Sequence, residues 1–185
     1  MGKIILASSS PRRADILKRT KIGFEIIPSP YIEDHTTTVF SYDFIENLAY
    51  NKAKAVVPLV KEASLIIGAD TVVVLDNEIL GKPNNEKGAF KMLKKLSGKT
   101  HFVVTSIAVI NSETGEVKKN STTSYVTFEN LTDEQIDFYI KNYKPFDKAG
   151  SYGIQEMPNG YIKSYTGDLE NIIGMSSKAL LELMN

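Results

Sequence analysis

Short aliphatic runs alternate with amphipathic segments along most of the chain. The runs Lys3–Ala7, Phe24–Ile27 and Ser64–Leu75 are apolar and bounded by turn-forming residues, which predicts buried β-strands. Between them, apolar residues recur at every third or fourth position, which predicts helices over Pro11–Thr20 and from Tyr42 to about Val57. Strands that alternate with helices are typical of the α/β class, in which helices cover a sheet.

The second half of the chain adds antiparallel strands to this pattern. Asp76 and Asn77 fit a two-residue hairpin turn, so Ser64–Leu75 returns as Glu78–Lys82 and the sheet is expected to be mixed. The remaining predicted elements are a helix from Asn84 or Asn85 through Leu96, strands over Thr100–Asn111 and about Lys119–Glu129, a helix over Asp133–Asn142 with a Thr132/Gln135 capping box, a strand near Tyr161–Ser164, and a C-terminal helix from Ser176 or Ser177.

Composition narrows the available chemistry. The 185 residues include no cysteine and two histidines, which excludes disulfides, thiolate metal sites and a cysteine nucleophile. Basic and acidic residues number 22 each, and the net charge of +0 argues against binding long nucleic acid through a broad basic surface. No apolar run approaches the ~18–20 residues of a membrane helix, and the first residues turn polar too early for a signal peptide. We therefore expect a soluble, intracellular protein.

A segment suited to an anion follows the first predicted strand. The polar loop Ser8–Ser10 leads into a helix at Pro11, and the free N–H groups at a helix N-terminus favour an anion. Arg12 and Arg13 lie in that first turn, where positive charge opposes the helix dipole unless an anion is bound. Two interpretations stay open: a phosphate site, or two solvated arginines with Asp15 as a nearby partner.

Asp70 interrupts the apolar run of the third predicted strand. Aspartate is depleted in strands and an unpaired buried carboxylate is costly, so Asp70 indicates a polar cavity, a cation or a metal. The alternative is a turn aspartate between two short strands. In the simple hairpin register Thr71 lies opposite Lys82, which puts Lys82 and Asp70 on opposite faces unless a bulge or strand end intervenes.

Lys52 and a glycine-rich loop complete the candidate residues. Lys52 lies on the apolar stripe of its predicted helix, where snorkelling to solvent is slightly favoured over contact with a ligand. In the loop Asp147–Gln155, Gly150 and Gly153 allow close backbone approach, and the amide of Gln155 offers both a donor and an acceptor. Cations, a central carboxylate and an amide together indicate metal-assisted attack of water on a phosphate.

Four segments carry a resemblance to a known family. LASSSPRRADIL, GADTVVVLDNEILGKP, LSGKTHFVVTSIAV and DKAGSYGIQ occur in this order over nearly the whole chain. They resemble the Maf family of nucleoside triphosphate pyrophosphatases. The resemblance implies one domain over residues 1–185, with a mixed, strongly bent α/β sheet in two lobes around a central cleft, similar to the ITPase-like architecture.

The resemblance also implies an activity: a cytoplasmic, homodimeric enzyme that converts a nucleoside triphosphate to the monophosphate and pyrophosphate with a divalent cation, Mg²⁺ or Mn²⁺. Asp70 matches the catalytic proton acceptor. Arg12, Thr71 and Gln155 match positions tied to substrate choice, and this combination resembles the subgroup that acts on dTTP and UTP, with modified pyrimidine nucleotides as a further option. The remaining expected site residues are Ser8, Arg13, Lys52 and Lys82 for the substrate, and Glu33 beside Asp70 for the metal, with Asp34 as the alternative to Glu33.

Two alternatives to this activity stay open. One is a pyrophosphatase of the 7-methyl-GTP type, which typically has a glutamate in place of the glutamine at position 155. The other is a non-catalytic nucleotide-binding regulator of septum formation. One departure from the family pattern is Met175-Ser176, where a Leu-Pro pair is usual, and it puts the local geometry of the last helix in doubt.

Overall fold

The computed structural model describes residues 2–33 and 37–184, and within them a seven-stranded mixed sheet forms the centre of the molecule. The strand order is β2-β1-β3-β5-β6-β7, and β4 pairs with β3 beside this path. The strands are β1 (Lys3–Leu6), β2 (Glu25–Ile26), β3 (Ser64–Leu75), β4 (Glu78–Leu80), β5 (Thr100–Asn111), β6 (Val117–Phe128) and β7 (Ile162–Thr166). The mixed α/β class predicted from the sequence is confirmed.

Helices pack around this sheet. They are α1 (Pro11–Arg19), α2 (Tyr42–Lys54), α3 (Glu86–Leu96), α4 (Asp133–Tyr143), α5 (Leu169–Ile173) and α6 (Ser177–Met184), with 3₁₀ turns at Val57–Leu59, Ala149–Ser151 and Ile154–Glu156. Strand β1 pairs in parallel with β2 and β3, whereas β3, β5, β6 and β7 pair antiparallel in succession. No helix in the described ranges is long and apolar enough to cross a membrane.

Local sequence signals explain most element boundaries. Ser41 Oγ accepts a hydrogen bond from the Phe44 N–H at 3.2 Å and caps α2. Asp76 and Asn77 have φ values of 52° and 66°, as the tight turn between β3 and β4 requires. The predicted Thr132/Gln135 capping box begins α4.

The apolar core lies in separate clusters along the sheet. One cluster packs α1 and α6 against the first half of β3, through residues such as Leu17, Ile67 and Leu180. Another packs α3 and α4 against its second half, through residues such as Val73 and Leu93. Two packed regions joined by the long strands correspond to the two lobes that the family resemblance implies.

Several local features decide between predicted alternatives or were not predicted. Asp70 lies inside the continuous strand β3, so it is not a turn aspartate. The β3–β4 ladder ends at the pair Val73–Leu80, so Lys82 lies beyond the strand end and outside the register that placed it opposite Thr71. The five-residue helix α5 has no counterpart in the prediction, because so short a segment shows no helical periodicity.

The departure at Met175-Ser176 has a structural explanation. The Met175 side chain is fully buried in the cluster under α1 and α6. Ser176 Oγ accepts a hydrogen bond from the Ala179 N–H at 3.1 Å, as an N-cap does. The last helix therefore begins normally without the Leu-Pro pair.

Candidate active site

A cleft of about 700 Å³ opens between the two packed regions. Its volume lies in the range of small-molecule sites. Among the residues that the structure describes, five cationic side chains and three carboxylates line it: Arg12, Arg13, Lys52, Lys82 and Lys148, with Glu33, Asp70 and Asp147. Thr71 and Gln155 line the same cleft, so the structure brings all of the expected site residues to its wall except Ser8, which lies behind Arg13.

Asp70 is the buried acid of the cleft, with 6% of its surface exposed. Its Oδ1 accepts a hydrogen bond from Lys52 Nζ, and the same ammonium lies 2.8 Å from Glu33 Oε1. The Lys52 side chain is 12% exposed. The expectation that Lys52 snorkels to solvent is therefore wrong: the side chain turns inward because two carboxylates compensate its buried charge. Asp34 lies outside the described residues.

The backbone of β3 explains how Lys52 reaches Asp70. Gly68 lies two residues before Asp70, and a Cβ there would lie 2.2 Å from the Ala49 carbonyl oxygen and 2.7 Å from the Ala53 nitrogen. The backbone of α2 therefore packs directly on the strand, as only a glycine at position 68 permits. A glycine shortly before a strand acid is the sequence signal that points to this close approach.

Arg13 is held by neutral acceptors. Its guanidinium donates to the Gly174 carbonyl at 3.0 Å, to Thr71 Oγ1 at 3.1 Å and to Ser8 Oγ at 3.4 Å. Burial lowers the pKa of Arg13, and the charge of Asp70 opposes this shift. An arginine at this position stays charged, so it presents a fixed positive charge to the cleft.

The Thr71 hydroxyl belongs to a hydrogen-bond network inside the protein. It lies 2.9 Å from Thr105 Oγ1 and 3.2 Å from the Gly174 carbonyl oxygen. Thr105 in turn bonds to Asn171, a fully buried residue on α5 that also donates to the Val103 carbonyl. The supporting role of Asn171 was not predicted, because no periodic pattern in the sequence marks this residue.

Arg12 reaches across the cleft to the glycine-rich loop. Its guanidinium donates to Asp147 Oδ2 at 2.7 Å and to the Asp147 carbonyl at 3.4 Å. The suggested partner Asp15 is wrong, because Asp15 pairs with Lys18 at 3.0 Å. Burial raises the pKa of Asp147, but hydrogen bonds from Arg12 and Lys148 outweigh it and lower the pKa to about 2.

Lys82 is exposed, and no ion pair to it occurs in the described part of the chain. The preceding residue, Gly81, accepts a backbone hydrogen bond from the Gly150 N–H at 3.0 Å. Gly150 has a φ of +65°, and a Cβ there would lie 2.9 Å from a Val73 methyl group. The loop thus packs against β3 and brings Lys82 to the mouth of the cleft.

Gln155 is exposed and lines the cleft. Its Nε2 lies 3.4 Å from Glu156 Oε1. The carboxylate of Glu156 also lies 3.1 Å from the ammonium of Lys148, which is 8% exposed. No role was predicted for Glu156, although its position next to Gln155 is a usable sequence signal.

The donor set fits a divalent cation of the Mg²⁺ type. Such cations take carboxylate oxygens from one or two residues and complete their shell with water and phosphate oxygens. Asp70 and Glu33 both bind the same positive group, the Lys52 ammonium. No cluster of three or more acidic, histidine or cysteine ligands occurs within residues 2–33 and 37–184. Asp70 and Glu33 are thus the two carboxylates that the cleft brings together around one positive charge.

Similarity to known proteins extends over nearly the whole chain. Residues 3–185 match the family model described as Maf-like protein. A dTTP/UTP pyrophosphatase of Thermosipho africanus is 43% identical over 98% of this chain and 92% of its own length. A dTTP/UTP pyrophosphatase of Ruminiclostridium cellulolyticum is 43% identical over 100% of this chain and 97% of its own length. A Ham1 protein structure from Coxiella burnetii has a TM-score of 0.48 at 17% identity, over 87% of this chain and 92% of its own. The chain therefore belongs to the Maf family.

Proposed function

We propose that this chain is a nucleoside triphosphate pyrophosphatase that hydrolyses dTTP and UTP to the monophosphate and pyrophosphate. The observation that carries the proposal is Asp70, a buried carboxylate at the wall of a cleft otherwise rich in cations. A site that only bound a polyanion would gain nothing from a carboxylate beside the phosphates. Relatives at about 40% identity that are named dTTP/UTP pyrophosphatases support the same reaction and substrates.

Asp70 is the proposed proton acceptor for the attacking water. Its carboxylate faces the cleft from the middle of β3, where pairing to Ser106 of β5 fixes the backbone on one side. A water held by this carboxylate is oriented toward the α-phosphorus, and positioning of this kind is a large part of phosphoryl-group chemistry. Lys52 keeps Asp70 and Glu33 together in the free protein.

The cations of the cleft are proposed to bind the triphosphate. Arg13 is preorganised by three acceptors, so its charge needs no rearrangement when the leaving pyrophosphate develops negative charge. Arg12 and Lys82 lie nearer the mouth of the cleft and contribute further positive charge. Ser8 acts through Arg13, because its Oγ accepts a hydrogen bond from the Arg13 guanidinium at 3.4 Å.

Asp70 and Glu33 are the residues that would hold a divalent cation, as their shared contact with Lys52 indicates. When bound, such a cation polarises phosphate oxygens and acidifies water.

Gln155 is proposed to bind the pyrimidine base edge, because its amide can donate to a carbonyl and accept from an N–H. Thr71 acts at the triphosphate end instead, because its hydroxyl accepts a hydrogen bond from Arg13 at 3.1 Å.

An Asp70→Asn substitution tests the proposal. The amide keeps the size of the side chain but cannot accept the proton, so we expect kcat for pyrophosphate release from UTP to fall by a factor of about 10²–10⁴. An Asp15→Asn variant is the matched control, since Asp15 pairs with Lys18 on the surface of α1. Near-normal turnover by a folded Asp70→Asn protein would end the assignment of Asp70.

The same assay separates the alternatives when it includes a panel of nucleotides. Preferred release from 7-methyl-GTP would place the chain in the other subgroup. Tight nucleotide binding without release of pyrophosphate from any nucleotide would favour a non-catalytic regulator.

We also propose that residues 1–185 act as one domain, in a cytoplasmic homodimer, as the family resemblance implies. Sedimentation equilibrium tests the dimer.

A further inference from the structure

A chain of charged contacts lies behind the base-binding end of the cleft. Lys148 Nζ lies 2.9 Å from Asp147 Oδ1 and 3.1 Å from Glu156 Oε2. The lysine is 8% exposed, so its ammonium is held between these two carboxylates and away from bulk water. The buried cation fixes the position of the Glu156 carboxylate, whose own side chain is 34% exposed.

The Glu156 carboxylate determines which way the neighbouring amide points. An ionised carboxylate only accepts hydrogen bonds, so the group that faces it at 3.4 Å must be the Gln155 NH₂. The Gln155 carbonyl oxygen is therefore turned away from Glu156. Because Gln155 lines the cleft and Glu156 lies behind it, this orientation decides where the cleft presents its acceptor.

The bare Cα of Gly153 keeps these side chains close together. A Cβ at this position would lie 3.0 Å from Lys148 Cε and 3.1 Å from Gln155 Nε2. Both distances are tighter than ordinary van der Waals contact, so the lysine stem and the amide occupy the space that a side chain would take. Gly153 thus allows Lys148, Glu156 and Gln155 to form one compact group.

We propose that Glu156, held by Lys148, is a specificity-determining positioning residue that makes the site select uracil and thymine over cytosine. Uracil and thymine present an acceptor at O4 beside a donor at N3, whereas cytosine presents a donor at N4 beside an acceptor at N3. For a base held in one place, the two edges require opposite orientations of the Gln155 amide. By holding the NH₂ group, Glu156 stabilises the orientation in which the Gln155 NH₂ donates to O4 and its carbonyl oxygen accepts from N3–H. It penalises the reversed orientation that cytosine requires.

This inference rests on the proposed pyrimidine nucleotide pyrophosphatase activity, and the experiment compares two substrates of one enzyme. In a Glu156→Ala variant the amide is free to turn over, so we expect the ratio of kcat/KM for UTP to that for CTP to fall by about tenfold. Glu156→Gln keeps the side-chain size and can accept or donate, so the ratio falls there as well. Glu62→Ala is the control: Glu62 pairs with the exposed Lys3 at 3.3 Å, outside the cleft lining.

The outcomes separate this inference from a structural role. A ratio that falls in both Glu156 variants, with the Glu62→Ala ratio unchanged, supports the proposal. Equal losses with UTP and CTP, or an unchanged ratio, overturn it, because a merely structural residue affects both substrates alike. If the unaltered protein hydrolyses neither dTTP nor UTP, the proposed function itself is refuted. That result is distinct from failure of this inference, because it is seen before any substitution is made.

Discussion

Charged side chains around the cleft are each compensated in a different way. Lys52 has two carboxylate partners, Arg13 has three neutral acceptors, and Asp147 has two cations. A partly buried charge is stable only with such partners, since desolvation alone would cost several kcal/mol. The pairing leaves the site charged and ordered before a substrate arrives.

His101 is a buried titratable residue outside the cleft lining. It is 2% exposed, its Nε2 lies 2.6 Å from the Tyr152 hydroxyl, and its Nδ1 has no partner among the described residues. Burial lowers the pKa of His101 to about 4. The folded protein therefore holds this imidazole neutral at a pH where an unfolded chain would already protonate it.

The depressed pKa of His101 predicts a pH-dependent stability. Above pH ~6.5 the His101 imidazole is neutral in both the folded and the unfolded protein, so it does not reduce stability. As the pH falls toward 4, only the unfolded protein gains the proton, and the free energy of unfolding drops by about 3 kcal/mol. A His101→Gln variant cannot titrate here and should lack this loss. Urea unfolding at pH 7 and pH 4 measures it; equal losses in both proteins would contradict the role of His101.

At the scale of elements, the site depends on how closely α2 packs on β3. The helix supplies Lys52 and the strand supplies Asp70, and the contact between them passes through Gly68. Protein interiors are densely packed, so an added methyl group at such a contact must displace backbone. The helix and the strand acid are therefore coupled through one residue without a side chain.

A Gly68→Ala substitution should affect both stability and activity. The methyl group would conflict with the Ala49 carbonyl at 2.2 Å, so α2 must move away from β3, which we expect to cost about 2–3 kcal/mol of unfolding free energy. Moving α2 also separates Lys52 from Asp70 and lowers kcat. Gly23→Ala is the control, because a Cβ there meets nothing within 4 Å. A normal kcat in Gly68→Ala would show that the close packing is not needed.

Elements with strong local signals were predictable from the sequence, and the contacts between them were not. The range Thr100–Asn111 is correct at both ends, and the Asp76-Asn77 turn and the α4 capping box are confirmed. The direction of Lys52 was wrong because it depends on helix packing at Gly68, which helical periodicity does not report. The partner of Arg12 was missed because Asp147 is 135 positions away and reaches it only when the loop folds over β3.

At the scale of the whole molecule, a net charge of +0 coexists with a cationic cleft. In the described part of the chain, five cationic side chains and three carboxylates line it. The compensating negative charge lies elsewhere on the protein. The molecule therefore attracts a small polyanion at one place without a broad basic surface.

This charge distribution predicts that salt weakens substrate capture. Raising NaCl from about 50 mM to about 500 mM should lower kcat/KM for UTP by a factor of about 3–10, since screening acts on the exposed cations at the cleft mouth. The dependence should be shallower in Lys82→Gln, whereas Lys61→Gln, an exposed lysine outside the cleft lining, should behave as the unaltered protein does. Equal slopes in all three proteins would argue against steering by the cleft.

The hydrogen bond from Arg13 to the Gly174 carbonyl has a consequence for synthesis of the protein. The two residues are 161 positions apart in the sequence. A nascent chain on the ribosome cannot form this hydrogen bond until position 174 has emerged. Contacts so distant along the chain also slow folding. A chain whose synthesis stops before Gly174 therefore lacks this support for the Arg13 guanidinium.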